Sequence, residues 1–170
     1  MIKLVYPSKR YEEAITDFKE EFISYGEDTI PGSELLDKMD SIDEWIEYVN
    51  NNRKEKSLSE DWVLSDCFIA VDEGDSVVGI IVLRHDLNDF LRDFGHIGFS
   101  VRPSKRRMGI ATIMLQKVLE VAKNNNLSEL QLSCMDSNIA SKKCIISNGG
   151  VFLRNFNYLD ESASVYIIKI

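Results

Sequence analysis

The sequence has few of the residues that build metal centres and disulfide frameworks. Its 170 residues include two histidines and three cysteines, which are Cys67, Cys134 and Cys144. No two cysteines stand in a C-x-x-C pair, the spacing typical of redox and zinc motifs. The sequence therefore predicts buried, reduced thiols and no metal site.

Long hydrophobic runs are also missing. No apolar stretch approaches the 18 or more residues that a membrane-spanning helix needs. The first six residues form a short strand-like run that stops at Pro7, which is unlike a secretory signal peptide. We expect a cytoplasmic protein that does not engage a membrane.

Positive charge is scarce overall, and part of it is concentrated in one window. The formal net charge of -8 argues against a nucleic-acid partner, which would need a basic face. Between Asp93 and Glu120 the chain has no acidic residue but several basic ones. They are Arg102, Lys105, Arg106, Arg107 and Lys117. This basic window predicts a site for an anion, with a solvated basic turn as the alternative.

The first third of the chain has the opposite bias. Residues 1–66 hold 17 of the 28 acidic residues against eight basic ones. Such a surface would attract a cationic amine. Acidic surface helices that only confer solubility give the same pattern, so both interpretations stand at this point.

The two best-known glycine-rich phosphate loops are absent. No G-x-x-x-x-G-K-S/T run occurs, and a G-x-G-x-x-G fingerprint needs three glycines where only Gly109 is available. Instead, an apolar run from Ile97 to Val101 leads through Pro103 and a basic turn to Gly109 and Ala111, at the start of an apolar-faced helix. A helix start leaves about four N–H groups without partners and favours anionic oxygens. This order predicts a phosphate cradle.

The cradle and its surroundings fit a known family. Arg106, Gly109 and Ala111 match the pattern R/Q-x-x-G-x-G/A, and the preceding strand ends in Val101-Arg102-Pro103. An Asn-x-x-Ser helix start, Asn138 to Ser141, follows with Gly149 near its end. In order and spacing these residues resemble the coenzyme A pyrophosphate loop and its neighbours in the GNAT superfamily of N-acetyltransferases.

A longer run strengthens the resemblance. Residues 84–111 match RHxLN…GHIGxSxRPSxRRxGxA, and an NGG follows at residues 148–150. This combination resembles a bacterial subgroup of predicted acetyltransferases. The resemblance covers nearly the whole chain and is strongest from about Phe68 to Val151.

The resemblance implies an α/β chain with the GNAT fold. It implies a mixed, mostly antiparallel central sheet of about seven strands flanked by about four helices, in a single domain over residues 1–170. The residue pattern itself predicts the order β, α, α, β, β, β, α, β, α, β, β. Its first helix spans Lys9 to Ser24 with Ile15, Phe18, Phe22 and Ile23 on an apolar face, and residues 50–65 are predicted to be a loop.

The resemblance also implies acetyl-CoA as co-substrate, with no metal, and it indicates the residues that would hold it. The backbone of residues 98–101 would line the pantetheine arm, and the segment 106–112 would hold the diphosphate. Asn138 and Ser141 would sit beside the pantetheine and adenosine portions. The implied residues are Phe99, Ser100, Val101, Arg106, Arg107, Met108, Gly109, Ile110, Ala111, Thr112, Asn138 and Ser141. For Asn138 a plain helix cap is an equal alternative.

The catalytic groups are less well defined. Many family members place a tyrosine four residues after the Ser141 position, but this chain has Ile145 there. Tyr158, Tyr166 or water would then have to protonate the leaving thiolate, and we predict Tyr158. His96, with a near-neutral pKa, is the predicted base, with a hydrogen-bonding role as the alternative.

The predicted function is transfer of an acetyl group from acetyl-CoA to a primary amine of a small molecule or peptide. His85 and Asn88 are predicted to contact that acceptor. Two alternatives stay open: a GNAT-fold sensor that binds acyl-CoA without turnover, and an anion-binding domain unrelated to coenzyme A. A homodimer is compatible with each of them.

Overall fold

The computed structural model describes residues 1–54 and 63–170. Within those ranges the chain forms seven strands and four α-helices. They are β1 (Lys3–Val5), α1 (Glu12–Ser24), α2 (Ile42–Asn51), β2 (Ser65–Val71), β3 (Val77–Arg84), β4 (Ile97–Val101), α3 (Ile110–Asn124), β5 (Glu129–Met135), α4 (Ile139–Ser147), β6 (Val151–Tyr158) and β7 (Glu161–Lys169). The element order is the predicted one.

The strands form one sheet in the order β1-β2-β3-β4-β5-β7-β6. Neighbouring strands are antiparallel except β4 and β5, which are parallel. The sheet therefore consists of two antiparallel halves joined at the β4–β5 boundary. The prediction of an α/β fold with a mostly antiparallel sheet is confirmed.

Helices cover both faces of the sheet. Alternate residues of a strand point to opposite faces, so that Ile80 packs on the α1–α2 side and Ile81 on the α3–α4 side. On the first side Phe18, Phe22 and Trp45 are essentially fully buried. This two-sided burial explains why β2 and β3 are almost continuously apolar.

A local signal accounts for the start of α2. Ser41 caps α2, since its hydroxyl accepts the Glu44 backbone N–H at 3.2 Å. Residues 55–62 of the predicted 50–65 loop lie outside the described residues. Ile23 departs from the prediction for α1: it is 62 % exposed, because it lies about 100° around the helix from the buried Phe22.

Candidate active site

The parallel strands β4 and β5 separate soon after they meet. Their ladder joins a single pair of residues, Ile97 opposite Leu132, although both strands continue toward their C-terminal ends. Beyond this pair the strands diverge and leave a gap in the sheet, which we call the β4–β5 wedge. The segment predicted to line the pantetheine arm, residues 98–101, forms one side of it.

His96 joins β4 to β5 at the end of the wedge where the two strands pair. Its backbone N–H donates to the Gln131 carbonyl at 2.7 Å, and the Gln131 N–H donates back to His96 Nδ1 at 2.9 Å. Gly95, with φ +85°, lets the chain approach, because a Cβ there would lie 2.4 Å from the Gln131 oxygen. His96 therefore bridges β4 to β5 through its ring as well as its backbone.

This geometry bears on the predicted base. Burial lowers the pKa of His96 from its ordinary value, so the ring is neutral. Because Nδ1 accepts a hydrogen bond, the single ring proton of the neutral form resides on Nε2. To take a proton from an amine at Nδ1, His96 would first have to release Gln131. Its role as a base stays a prediction, and the structure adds a positioning role that competes with it.

The segment after β4 forms the predicted phosphate cradle, which we call the phosphate loop (residues 103–112). Arg107 and Gly109 have φ of +63° and +76°, and α3 begins at Ile110. None of the hydrogen bonds within the described part of the chain uses the backbone N–H of residues 107–112. The next N–H, of Ile113, donates to the Gly109 carbonyl at 3.1 Å. A left-handed turn followed by a helix start presents its free N–H groups to an anion.

Two acidic side chains, Glu21 in α1 and Glu27 shortly after it, bind the phosphate loop. Glu27 accepts two hydrogen bonds from the Arg106 guanidinium at 2.6 and 2.7 Å, and this pairing lowers the pKa of Glu27. The Ser104 N–H donates to Glu21 at 2.7 Å. The Arg106 side chain, predicted to hold diphosphate, is thus engaged by Glu27. Arg107 has no ion pair within residues 1–54 and 63–170 and is the more available cation.

The chain between α1 and α2 lies directly on β4. Gly32 packs so tightly there that a Cβ would fall 2.2 Å from the Gly98 carbonyl carbon. The Ser100 hydroxyl donates to the Pro31 carbonyl at 2.6 Å. The Ser100 side chain therefore faces the α1–α2 side, whereas Phe99 and Val101 pack toward the α3–α4 core. A contact of Ser100 with cofactor would have to come from its backbone.

A buried ion pair holds the same connection in place. The Arg84 guanidinium donates to Glu34 at 3.0 Å, and the Glu34 side chain is only 4 % exposed. The Trp45 indole N–H donates to the Ser33 and Glu34 carbonyls at 3.0 Å. These contacts fix the segment from Pro31 to Glu34 as a rigid cover on the α1–α2 side of the wedge.

The predicted Asn-x-x-Ser helix start is present. Asn138 Oδ1 accepts the Ser141 N–H at 3.1 Å and caps α4. Ile145, at the position of the usual tyrosine, is fully buried. Helix capping is thus an observed role of Asn138, and contact with cofactor stays a prediction.

The remaining predicted residues lie in different surroundings. His85 Nε2 is 2.7 Å from Asp66 Oδ2, in a cluster where Asp66 also accepts the Tyr6 hydroxyl at 3.1 Å. Asn88 accepts the Leu91 N–H at 2.9 Å. Tyr158 is 40 % exposed near the β6–β7 turn.

The sequence pattern did not predict the contact between His85 and Asp66. The β2–β3 hairpin register places Asp66 opposite Leu83, two residues before His85. Counting outward from the Asp72–Ser76 turn would have placed Asp66 opposite Val82, one residue off, because a bulge between Ala70 and Val71 shifts the register.

The described residues, 1–54 and 63–170, offer neither a cluster of metal ligands nor a membrane-spanning helix. They contain no group of three or more histidine, cysteine or acidic side chains arranged to hold a metal ion. None of their helices combines the length and apolarity needed to cross a membrane.

Comparisons with known proteins agree with this architecture. The sequence model of the acetyltransferase (GNAT) family matches residues 36–145. None of the curated proteins compared with the chain matches it by sequence.

Solved structures share the fold at low identity. RimL, a ribosomal L7/L12 alpha-N-protein acetyltransferase in complex with coenzyme A, has 12 % identity and a TM-score of 0.71, with 99 % of this chain and 94 % of that chain covered. YncA from Salmonella typhimurium, with acetyl-CoA, has 12 % identity and a TM-score of 0.69 over 99 % and 93 %. Mutant forms of the spermidine/spermine N-acetyltransferase SpeG from Vibrio cholerae have 15 % identity and a TM-score of 0.65 over 99 % and 95 %.

Proposed function

Because this chain belongs to the acetyltransferase (GNAT) family, we propose that it transfers an acetyl group from acetyl-CoA to a primary amine by direct attack on the thioester. The observation that carries the proposal is the phosphate loop, where the N–H groups of residues 107–112 have no protein partner within the described chain. These N–H groups would hold the diphosphate of coenzyme A, with Arg107 as a nearby cation.

The β4–β5 wedge would take the pantetheine arm, and bound acetyl-CoA would supply the acetyl thioester. The wedge opens toward the C-terminal end of β4, where the phosphate loop begins. The backbone of Phe99 to Val101 would align the arm. Asn138 and Ser141 would border the cofactor from the start of α4.

The acceptor would approach on the α1–α2 side. The segment from Pro31 to Glu34 covers that side of β4, and the first third of the chain is rich in acidic residues. An excess of negative charge attracts ammonium groups, which supports a cationic amine or a peptide amine as acceptor. RimL and SpeG, by their names, act on a protein amine and on polyamines. His85 and Asn88 remain our candidates for acceptor contact.

Proton transfers would complete the reaction. His96 is the proposed base, provided that it releases Gln131, and Tyr158 is the proposed acid for the departing thiolate. Ile145 leaves α4 without a proton donor at the position where the family usually has one. A coenzyme A thiolate is a tolerable leaving group, so that assistance from Tyr158 or water would suffice.

Binding is the first test of this proposal. Calorimetric titration with acetyl-CoA is expected to give saturable binding, and ATP little. Gly109→Glu places a carboxylate and a strained backbone in the loop and is expected to abolish binding. Gly149→Glu is the matched control, since Gly149 also has a positive φ and open space around it. A folded wild-type protein that does not bind acetyl-CoA would contradict the proposal.

Turnover is the second test. Thiol release from acetyl-CoA should be measured with a polyamine, a peptide amine and a small neutral amine. The buried Ile145 favours one other candidate function, a sensor that binds acyl-CoA without turnover. Tight binding with no thiol release for any amine would support the sensor over the transferase.

A further inference from the structure

A second cleft adjoins α4. Its volume is about 580 Å³, and it is bounded by α4, the end of β5 and the outer strands β6 and β7. This is within the usual size range of small-molecule sites. None of the residues predicted to bind coenzyme A lines it. We call it the α4–β6 cleft.

The lining of the α4–β6 cleft carries both signs of charge. Asp136 accepts hydrogen bonds from the Ser162 and Ser164 hydroxyls, each at 2.5 Å. These bonds lower the pKa of Asp136, and the nearby Lys142 ammonium lowers it further. Asp136 is therefore an anion at neutral pH, with its carboxylate held in a fixed orientation. Lys142 faces the same cleft.

The lining of the cleft also includes large apolar side chains. Ile146 and Phe152 line it and are 51 % and 54 % exposed. The Phe152 ring meets Tyr166 edge-on, with centroids 6.1 Å apart. Exposed large apolar side chains beside a charged pair leave surface that an apolar ligand group would cover.

The Tyr166 hydroxyl is a further polar group that a ligand in the cleft would reach. Its side chain lines the cleft and the residue is only 3 % exposed, yet its hydroxyl makes no hydrogen bond within residues 1–54 and 63–170. The protein does not fully enclose the hydroxyl oxygen, which keeps some accessible surface. A buried tyrosine usually finds a partner for its hydroxyl.

We propose that the α4–β6 cleft binds a free amino acid with an apolar or aromatic side chain. Asp136 would bind the ammonium group and Lys142 the carboxylate. Ile146 and Phe152 would cover the side chain, with the Tyr166 hydroxyl available for a hydrogen bond. This site is separate from the proposed acetyl-CoA site and does not depend on it.

Titration calorimetry with L-phenylalanine and L-leucine tests the proposal. Both are expected to bind, and phenethylamine and phenylpropionate, which each lack one charge, are expected to bind at least tenfold more weakly. Asp136→Asn and Lys142→Met should each weaken L-phenylalanine binding about tenfold or more, and Tyr166→Phe should weaken it severalfold. Thermal melts would confirm that these variants fold.

Two control variants locate the binding. Lys143→Met removes a neighbouring lysine that does not line the cleft and should leave affinity unchanged. Gly109→Glu, which targets the phosphate loop, should also leave it unchanged. Failure of both amino acids to bind, equal binding of phenethylamine, or indifference to Asp136→Asn and Lys142→Met would each overturn the proposal, whatever the result for acetyl-CoA.

Discussion

At the scale of single residues, two side chains have roles that differ from those their type suggests. A histidine in a candidate active site is first considered as a base, but His96 Nδ1 accepts the Gln131 N–H. An arginine in a phosphate loop is first considered as a phosphate ligand, but Arg106 pairs with Glu27. Hydrogen-bond partners, and not residue type, decide which groups are available for chemistry.

Two substitutions of His96 separate its positioning role from a role as base. Asparagine has an acceptor oxygen in the place of Nδ1 but cannot act as a base. Leucine can neither accept the Gln131 N–H nor act as a base. We expect His96→Asn to retain most of the stability, because the bond to Gln131 survives, and to lose kcat, because the amide cannot take a proton from the amine. His96→Leu should cost about 1–3 kcal/mol and lose activity. Denaturant unfolding and steady-state kinetics measure the two effects, and an unchanged kcat for His96→Asn would contradict the role of base and leave His96 with the positioning role alone.

The lowered pKa of His96 predicts how stability depends on pH. The unfolded chain, with a pKa of about 6.5, binds a proton at a higher pH than the folded chain does. The stability that neutral His96 contributes is therefore complete above that pH and is lost as the pH falls below it. The unfolding free energy of the wild type should fall relative to His96→Asn when the pH is lowered from about 7.5 to 5.5. A difference that does not change with pH would show that the ring does not titrate in this way.

At the scale of elements, the junction of β4 and β5 decides the shape of the candidate site. Their ladder joins only Ile97 and Leu132, and the Gly95–His96 contact to Gln131 reinforces it. The strand order, in which β4 and β5 are the parallel pair, brings the phosphate loop and the start of α4 to the same end of the sheet.

Replacing Gly95 should damage this junction. Gly95→Ala puts a Cβ 2.4 Å from the Gln131 carbonyl oxygen at a φ of +85°, so the strands must move apart. We expect a loss of about 3 kcal/mol together with weaker acetyl-CoA binding. Gly26→Ala is the control, since Gly26 has φ +75° but open space around it, and backbone strain alone costs about 1 kcal/mol. Equal losses in urea unfolding would mean that the close approach at Gly95 contributes nothing.

At the scale of the whole molecule, ligand binding should stabilise the fold across both halves of the sheet. The phosphate loop follows β4 in one half, and Asn138 follows β5 in the other. Acetyl-CoA at a hundred times its Kd should add about 2.7 kcal/mol to the unfolding free energy. Thermal melts should show a rise in Tm for the wild type and for Gly149→Glu, and none for Gly109→Glu. A rise for Gly109→Glu equal to the wild-type rise would place the ligand outside the phosphate loop.

Much of the molecule was predictable from local sequence. Apolar periodicity determined the order of strands and helices, and the Asn-x-x-Ser pattern marked the start of α4, which Asn138 does cap. Gly109 after a basic turn indicated the phosphate loop, because a helix start with free N–H groups depends on only a few consecutive residues. The family followed from the same residues.

The tertiary structure alone decided the features that join distant parts of the chain. Glu27 and Arg106 are 79 residues apart, His96 and Gln131 are 35 apart, and the α4–β6 cleft assembles residues from three elements and two connections. No local pattern encodes such pairings, because they depend on strand register and on which helix face meets the sheet. Sequence predicted where an anion would be held. Packing decided which charges are already paired, how far β4 and β5 separate, and where a second ligand would fit.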